Sequence, residues 1–326
     1  MKKALLLLLL FLFALPANSQ VIRGRVLDQE TREPIDFASV FFNGTFHGTT
    51  TAEDGSFELD VTPYAGRKLQ ISAMGYNSSS LNSLIEGEFY EVLLERALYE
   101  ISEVSVESKS LAKKRKAFMR IFKDEFLGLT KNAADCYILN EEDITFNYHT
   151  NRDTLRAFSR KPLLILNKSL GYQITYHLDK FEYDRKNNTT YFVGNIIFNM
   201  DLAPGSEDRV KIEKSREKAY TGSCKHFFSA LWINELSGKG FLIYEKQSLQ
   251  PVNYEDMVVV ISDKKYFSYA RNLEISYDHY LSTITFRGPG SYFARDGFFE
   301  PEGILWYGTM SRDRIADWLP YEYSPK

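Results

Sequence analysis

The stretch "TTTAEDGSFEL", Thr49–Leu59, decides how the chain is read. Alternating residues run into an acidic Asp-Gly pair and alternate out again. It is a metal loop, part of an active site, or the bend between two strands. A calcium loop needs at least about six oxygen ligands at fixed spacing, and Glu53 and Asp54 do not provide them. Gly55 tolerates the positive φ that a tight turn demands. Behind it Phe57 and Leu59 fall on one face and Ser56 and Glu58 on the other. The stretch therefore reads as a tight hairpin, with Asp54 and Gly55 as its structural turn.

Outward from this turn the same pattern repeats. "VIRGRVLD" (Val21–Asp28), "DFASVFFNG" (Asp36–Gly44), "KLQISAMGY" (Lys68–Tyr76) and "FYEVLLE" (Phe89–Glu95) each read as strands, separated by polar turns such as "QETREPI". Short strands at regular spacing predict a β-sandwich over residues 20–97. The segments "VIRGRVLDQETREPIDFASV", "GTTTAEDGSFEL", "LQISAMGYNS" and "YEVLLE" resemble, in order and spacing, the carboxypeptidase regulatory-like domain. The resemblance implies a transthyretin-like sandwich, of the kind found behind some zinc carboxypeptidases and at the front of many Bacteroidetes outer-membrane receptors.

Residues 98–130 read as a linker and helix. "LYEISEVSVES" (Leu98–Ser108) is a strand or linker. Ser110–Thr130 has helical spacing, with Ala117, Ile121, Phe122 and Phe126 on one stripe and Gly128 as a stop. Residues 131–326 read as strand-rich: "DITFNYH", "TLRAFS", "PLLILN", a long antiparallel hairpin from Gly171–Asp184 to Tyr191–Leu202, then "FLIYEK", "MVVVIS", "LEISYDHYLSTITFRG" and "GILWYGTM". A helical insert interrupts them, with Phe227, Phe228, Leu231 and Trp232 as its apolar stripe. Ser311–Tyr323 is expected to end as a short helix stopped by Pro320. The predicted fold is mainly β: an N-terminal transthyretin-like β-sandwich, then a strand-rich α+β domain with a helical insert. The segments "FLGLTKNAADCYILN", "KPLLILNKSLGYQITYHLDKF", "AYTGSCKHFFSAL" and "DRIADWLPYEY" resemble an uncharacterised Bacteroidetes domain that follows such sandwiches in exported proteins.

The leading residues "MKKALLLLLLFLFALPANSQ" combine two lysines, an apolar run and small residues at the cut site. That is a secretory signal peptide over residues 1–19, cut before Gln20. The apolar run is short for a membrane span, which takes about 20 residues, and there is no second span. The expected location is outside the cytoplasm, in the periplasm or associated with the outer membrane. A receptor barrel does not fit, because its 22 strands of about ten residues each, with their loops, exceed the length of chain beyond the sandwich. The formal charge is −3, and no basic block of the nucleic-acid-binding sort appears. The one positive run, Lys109–Phe118, lies in the predicted helix. It is a solvated face, or a contact with a membrane surface or partner. The chain has two cysteines, Cys136 and Cys224. An exported compartment permits a bridge between them, and two buried free thiols are the alternative.

None of the five histidines (His47, His149, His177, His226, His279) begins the His-x-x-Glu pair of the zinc carboxypeptidases, and no His-Glu-x-x-His occurs. The resemblance therefore covers the regulatory sandwich without a peptidase, and no metal or cofactor is expected. "TGSCKHFF" holds Ser223, Cys224 and His226. Cys224 and His226 diverge on a helix, Ser223 and His226 can approach, and no orienting acid is evident. "RGPGSY" lacks the Gly-Lys-Ser/Thr ending that grips phosphate. Glu141, Glu142 and Asp143 are adjacent and so splayed. Tyr172, Tyr176, Tyr183 and Tyr191 on the long hairpin are buried in a layered core or present faces to sugars or proteins. The sequence thus predicts a non-enzymatic envelope protein that binds or scaffolds, with an envelope protein or a glycan as partner. One alternative is a hydrolase whose pocket gathers His177, Asp179, Arg216, His226 and Arg314. Another is an accessory of outer-membrane uptake.

Overall fold

A computed structural model describes residues 19–97, 108–205 and 207–325. Apart from Ser19 and Ser108, the expected signal peptide and the strand or linker at Leu98–Ser108 lie outside the described residues. The described residues group into two units, 19–43 with 47–97 and 44–46 with 108–325.

The first unit holds β1 (Val21–Asp28), β2 (Ser39–Phe42), β3 (Gly48–Thr50), β4 (Ser56–Asp60), β5 (Leu69–Ser72), β6 (Ser79–Leu81) and β7 (Phe89–Leu94). One sheet has the order β4-β1-β7 and the other β3-β2-β5-β6. β1 runs antiparallel to β4 and parallel to β7. Ile22, Val26, Val40, Phe57, Ile71 and Val92 alternate inward from both sheets into one core, as a sandwich requires. Asp28 closes the end of β1. Its carboxylate accepts from the Glu30 and Thr31 amides at 2.9 and 3.0 Å, from Arg96 Nε at 2.7 Å and from the Tyr76 hydroxyl at 2.9 Å.

The opening stretch is a turn, as the sequence predicts, but not a hairpin. β3 pairs with β2 and β4 pairs with β1, so Ala52–Gly55 carries the chain from one sheet to the other. Backbone hydrogen bonds hold it: Gly55 N to Ala52 O at 2.9 Å, Ala52 N to Ser56 O at 2.9 Å and Val26 N to Gly55 O at 2.9 Å. The Asp54 carboxylate accepts from the Ser56 amide at 3.0 Å. Gly55 has φ +75°, and a Cβ there would meet Val26 O at 2.6 Å.

The second unit begins with α1 (Ser108–Phe126) and α2 (Lys131–Ala134). Six antiparallel strands come next: β8 (Cys136–Ile138), β9 (Ile144–His149), β10 (Thr154–Ser159), β11 (Leu163–Asn167), β12 (Tyr172–Asp184) and β13 (Thr189–Asp201). Long β12 organises them. Its first half pairs with β11, its second half with β10, and its other edge with β13. α1 lays Met119, Phe122 and Phe126 on this sheet; Phe122 meets Phe181 and Phe126 meets Tyr176 at 4.7 and 5.0 Å between ring centroids. The expected stripe is shifted by this register: Ala117 is exposed and Ile121 half-buried. Of the hairpin tyrosines, Tyr172 and Tyr176 are buried, Tyr183 is half-buried and Tyr191 is exposed.

The helical insert is α3 (Arg209–Tyr220) and α4 (Cys224–Trp232). After it come β14 (Phe241–Glu245), α5 (Tyr254–Met257), β15 (Val258–Ile261), β16 (Lys264–Phe267), β17 (Leu273–Tyr277), β18 (Tyr280–Phe286), β19 (Ser291–Phe293) and β20 (Ile304–Gly308). They form two further sheets, β14-β17-β18-β20 and β15-β16-β19. Phe227 and Phe228 of α4 reach both: Phe227 meets Phe241 of β14 and Phe267 of β16, and Phe228 meets Phe293 of β19. The expected terminal helix is instead two 3-10 turns, Thr309–Arg312 and Ile315–Asp317. The Ala316 amide bonds Leu127 O and its carbonyl accepts from Asn167 Nδ2, so neighbours capture groups that an α-helix would pair internally. The chain is mainly β, with a sandwich first and a strand-rich α+β unit second. No helix among the described residues is long and apolar enough to cross a membrane.

Candidate functional site

Ser223, Cys224 and His226 sit together at the start of α4, where local geometry determines what each can do. Ser223 is the N-cap. Its Oγ accepts from the His226 amide at 3.2 Å and donates to Tyr220 O at 2.7 Å, which satisfies a helix-end donor. The His226 ring lies among Tyr220, Phe241 and Tyr277, with centroids 4.8, 4.9 and 5.7 Å away. Its Nδ1 accepts from the Gly222 amide at 3.1 Å. Burial, with Lys239 nearby, pushes His226 down to about 4, so the ring is neutral at pH 7. Cys224 Sγ faces Met310 O at 3.7 Å. Burial and the charge of Asp313 raise its thiol, the opposite of what a thiolate nucleophile needs.

His177 lies on β12, buried, beside the register shift between Leu178 and Lys180. Burial pushes it down to about 4. The other residues of the sequence-predicted pocket make separate sets of contacts. Buried Arg216 donates to Leu170 O at 2.8 Å and to both Asp201 oxygens at 2.7 and 3.2 Å. Its guanidinium lies 4.0 Å from the Tyr172 ring centroid. Asp179 accepts from Asn195 Nδ2 at 3.4 Å. Arg314 donates to Glu125 O at 2.8 Å and Ser311 O at 2.7 Å. The sequence did not single out Asp313, whose carboxyl burial and the Asp317 charge push up to about 7. Cys136 and Cys224 are free thiols. No group of three or more potential ligands able to hold a metal occurs among the described residues.

The outer face of the β14-β17-β18-β20 sheet gathers groups of a different kind. Its inner face carries Phe241, Ile243, Leu273, Ile275 and Ile284 into the core. The alternation then turns Leu242 and Tyr244, Glu274 and Ser276, and Leu281 and Thr283 outward. Register aligns them in rows. Tyr244 pairs Glu274, Glu274 pairs Thr283, and Thr283 pairs Tyr307. Beside this row Leu242 pairs Ser276 and Ser276 pairs Leu281. Leu242, Leu281 and Tyr307 are 47%, 54% and 54% exposed. Lys246 reaches across the face to Thr283 Oγ1 at 3.2 Å. The two tyrosines thus stand on strands about 14 Å apart, three strand spacings, with a carboxylate and a hydroxyl on the strands between them. Such a row offers flat apolar rings flanking hydrogen-bonding groups. The tyrosines that the sequence alone singles out, Tyr172, Tyr176, Tyr183 and Tyr191, lie on β12 and β13. Only alternation in β14 and β18, combined with register, reveals this row.

Residues 22–106 match the CarboxypepD_reg-like domain family. No curated protein matches the chain. Among solved structures, one from Bacteroides uniformis ATCC 8492, provisionally named a carbohydrate-binding protein, aligns over 89% of this chain and 98% of its own. The identity is 7% and the TM-score 0.18. A second, from Bacteroides fragilis NCTC 9343, is provisionally named a membrane-associated protein of unknown function. It aligns over 88% of this chain and 94% of its own, at 10% identity and a TM-score of 0.18.

Proposed function

We propose that this chain, whose first unit carries a CarboxypepD_reg-like domain, is a non-enzymatic, exported envelope protein that binds a glycan through its second unit. The observation that carries the reading is the row Tyr244–Glu274–Thr283–Tyr307 across four strands. Apolar C–H faces of sugar rings suit the exposed Tyr307 ring and the half-buried Tyr244 ring, and their hydroxyls suit the carboxylate, Thr283 and Lys246. A shallow sheet face leaves both ends of an oligosaccharide free, as recognition of a polymer requires. The sandwich serves as an interaction or stability module.

Affinity electrophoresis of the purified chain against a panel of neutral and acidic polysaccharides tests this. Retardation by one of them is expected. The double variant Tyr244→Ala/Tyr307→Ala should weaken it by at least about tenfold, a loss ordinary for an aromatic contact residue. Far-UV circular dichroism should be unchanged. Retardation that survives the double variant, or none with any polysaccharide, removes the glycan reading. Turnover of glycosides, esters or peptides by the same preparation removes the non-enzymatic one.

A further inference from the structure

α1 carries a second surface that does not depend on the sheet face. On a helix of 3.6 residues per turn, Arg115, Met119, Phe122 and Phe126 form the stripe that meets the sheet. Arg115 belongs to it by donating to Ile144 O and Glu141 O at 2.7 and 2.8 Å. Lys113, Lys116, Arg120 and Lys123 form the neighbouring stripe, three and four residues apart. It extends about 15 Å along the axis. Lys113, Lys116 and Arg120 are exposed. Beside the stripe runs an open groove of about 940 Å³, lined by these four cations and Arg115 and by the carboxylates Glu141 and Glu142. Lys123 pairs with Glu141, and Arg120 lies 3.9 Å from Asp124. Glu142 is exposed at the groove. Five cations therefore face two carboxylates, in a chain whose formal charge is −3.

We infer that the stripe Lys113, Lys116 and Arg120, with its groove, docks onto the phosphate-bearing headgroups of an anionic lipid surface. The cations are strung along an exposed helix edge. They do not converge on one enclosed point, as capture of a single small phosphate would demand. A row of exposed cations on one helix face matches many phosphates lying in a plane. The attraction is electrostatic and screened, so it weakens with salt over the range where the Debye length shrinks below about 10 Å.

Co-sedimentation of the purified chain, freed of its leader, with vesicles of phosphatidylglycerol in phosphatidylcholine tests the inference. Vesicles of phosphatidylcholine alone and inorganic pyrophosphate are the comparison arms. The variant Lys113→Glu/Lys116→Glu/Arg120→Glu reverses the stripe at exposed positions. Lys211→Glu/Lys214→Glu/Lys218→Glu reverses three exposed cations of α3 at the same helical spacing and gives the same net charge. The wild type and the α3 variant should bind phosphatidylglycerol vesicles. The α1 variant should bind them at least about tenfold more weakly, and none should bind phosphatidylcholine alone. Three results overturn the inference: no vesicle binding by the wild type, whether or not it takes up pyrophosphate; equal weakening of both variants; or binding to phosphatidylcholine alone as tight as to phosphatidylglycerol.

Discussion

Asp28 shows how one residue can secure the sandwich. It is buried, and its carboxylate is held well below the usual range. The Thr31 amide contributes most, then the Arg96 guanidinium, the Tyr76 hydroxyl and the Glu30 amide. A carboxyl depressed by folding stabilises fully above its unfolded value, about 4. That contribution is lost as pH falls below it, because the unfolded chain then binds the proton more readily. Hydrogen-exchange protection of peptides covering β1, corrected for intrinsic rates, should therefore change little between pH 7 and 5 and fall towards pH 3. Asp28→Asn should be less protected at pH 7 and show a smaller further loss on acidification. A wild-type profile as flat as the variant's would contradict this. Nothing in "VLDQETREP" marks Asp28, because its partners Tyr76 and Arg96 lie 48 and 68 residues away. The Tyr244–Tyr307 row was hidden for the same reason: periodicity says which way a side chain points within one strand, and cross-strand register is not local. Ser223, Cys224 and His226 were legible as neighbours because a single helix start contains them.

At the scale of elements, packing decides which patterns survive. α4 was readable from spacing alone, and its Phe227 and Phe228 are fully buried between two sheets. Phe228→Ala should destabilise the second unit by roughly 3–5 kcal/mol, the cost of deleting a core aromatic. Ala117→Ser, at an exposed position of α1, should change it by less than about 0.5 kcal/mol. Tryptophan fluorescence during urea unfolding reads this directly, since Trp232, Trp306 and Trp318 all lie in the second unit. A similar shift for both variants would mean that the α1 stripe follows the sequence-predicted register after all. The strands most clearly legible were those with long alternation, such as β1, β12, β13 and β18. Short β6, β8 and β19 have three residues each, too few to display a period, and exist because a neighbouring strand offers an edge. The Asp54-Gly55 turn was legible as a turn because glycine's conformational freedom is local. Its role in joining two sheets was not, because Thr49 and Thr50 find partners in β2, and the turn itself does not select them.

For the whole molecule, the question is what carries stability in a chain expected to meet an oxidising compartment. Cys136 belongs to the core beneath α1, whereas Cys224 packs against the core around α4, and both thiols are free. Burial, with Asp317 nearby, pushes Cys136 up to about 12, and Cys224 is raised by burial and Asp313. Thiols so shifted exchange and oxidise slowly at neutral pH, because the thiolate is the reactive form. Three apolar clusters, one in the sandwich and two in the second unit, then supply what small exported domains often obtain from cross-links. The melting temperature of the purified chain should accordingly change by less than about 1 °C on adding reductant, against the several degrees that losing a bridge worth about 2–4 kcal/mol would produce. Ellman's reagent should react slowly with the native chain and find two thiols once urea is added. A large reductant effect, or fewer than two thiols in urea, would show that an oxidised form carries part of the stability.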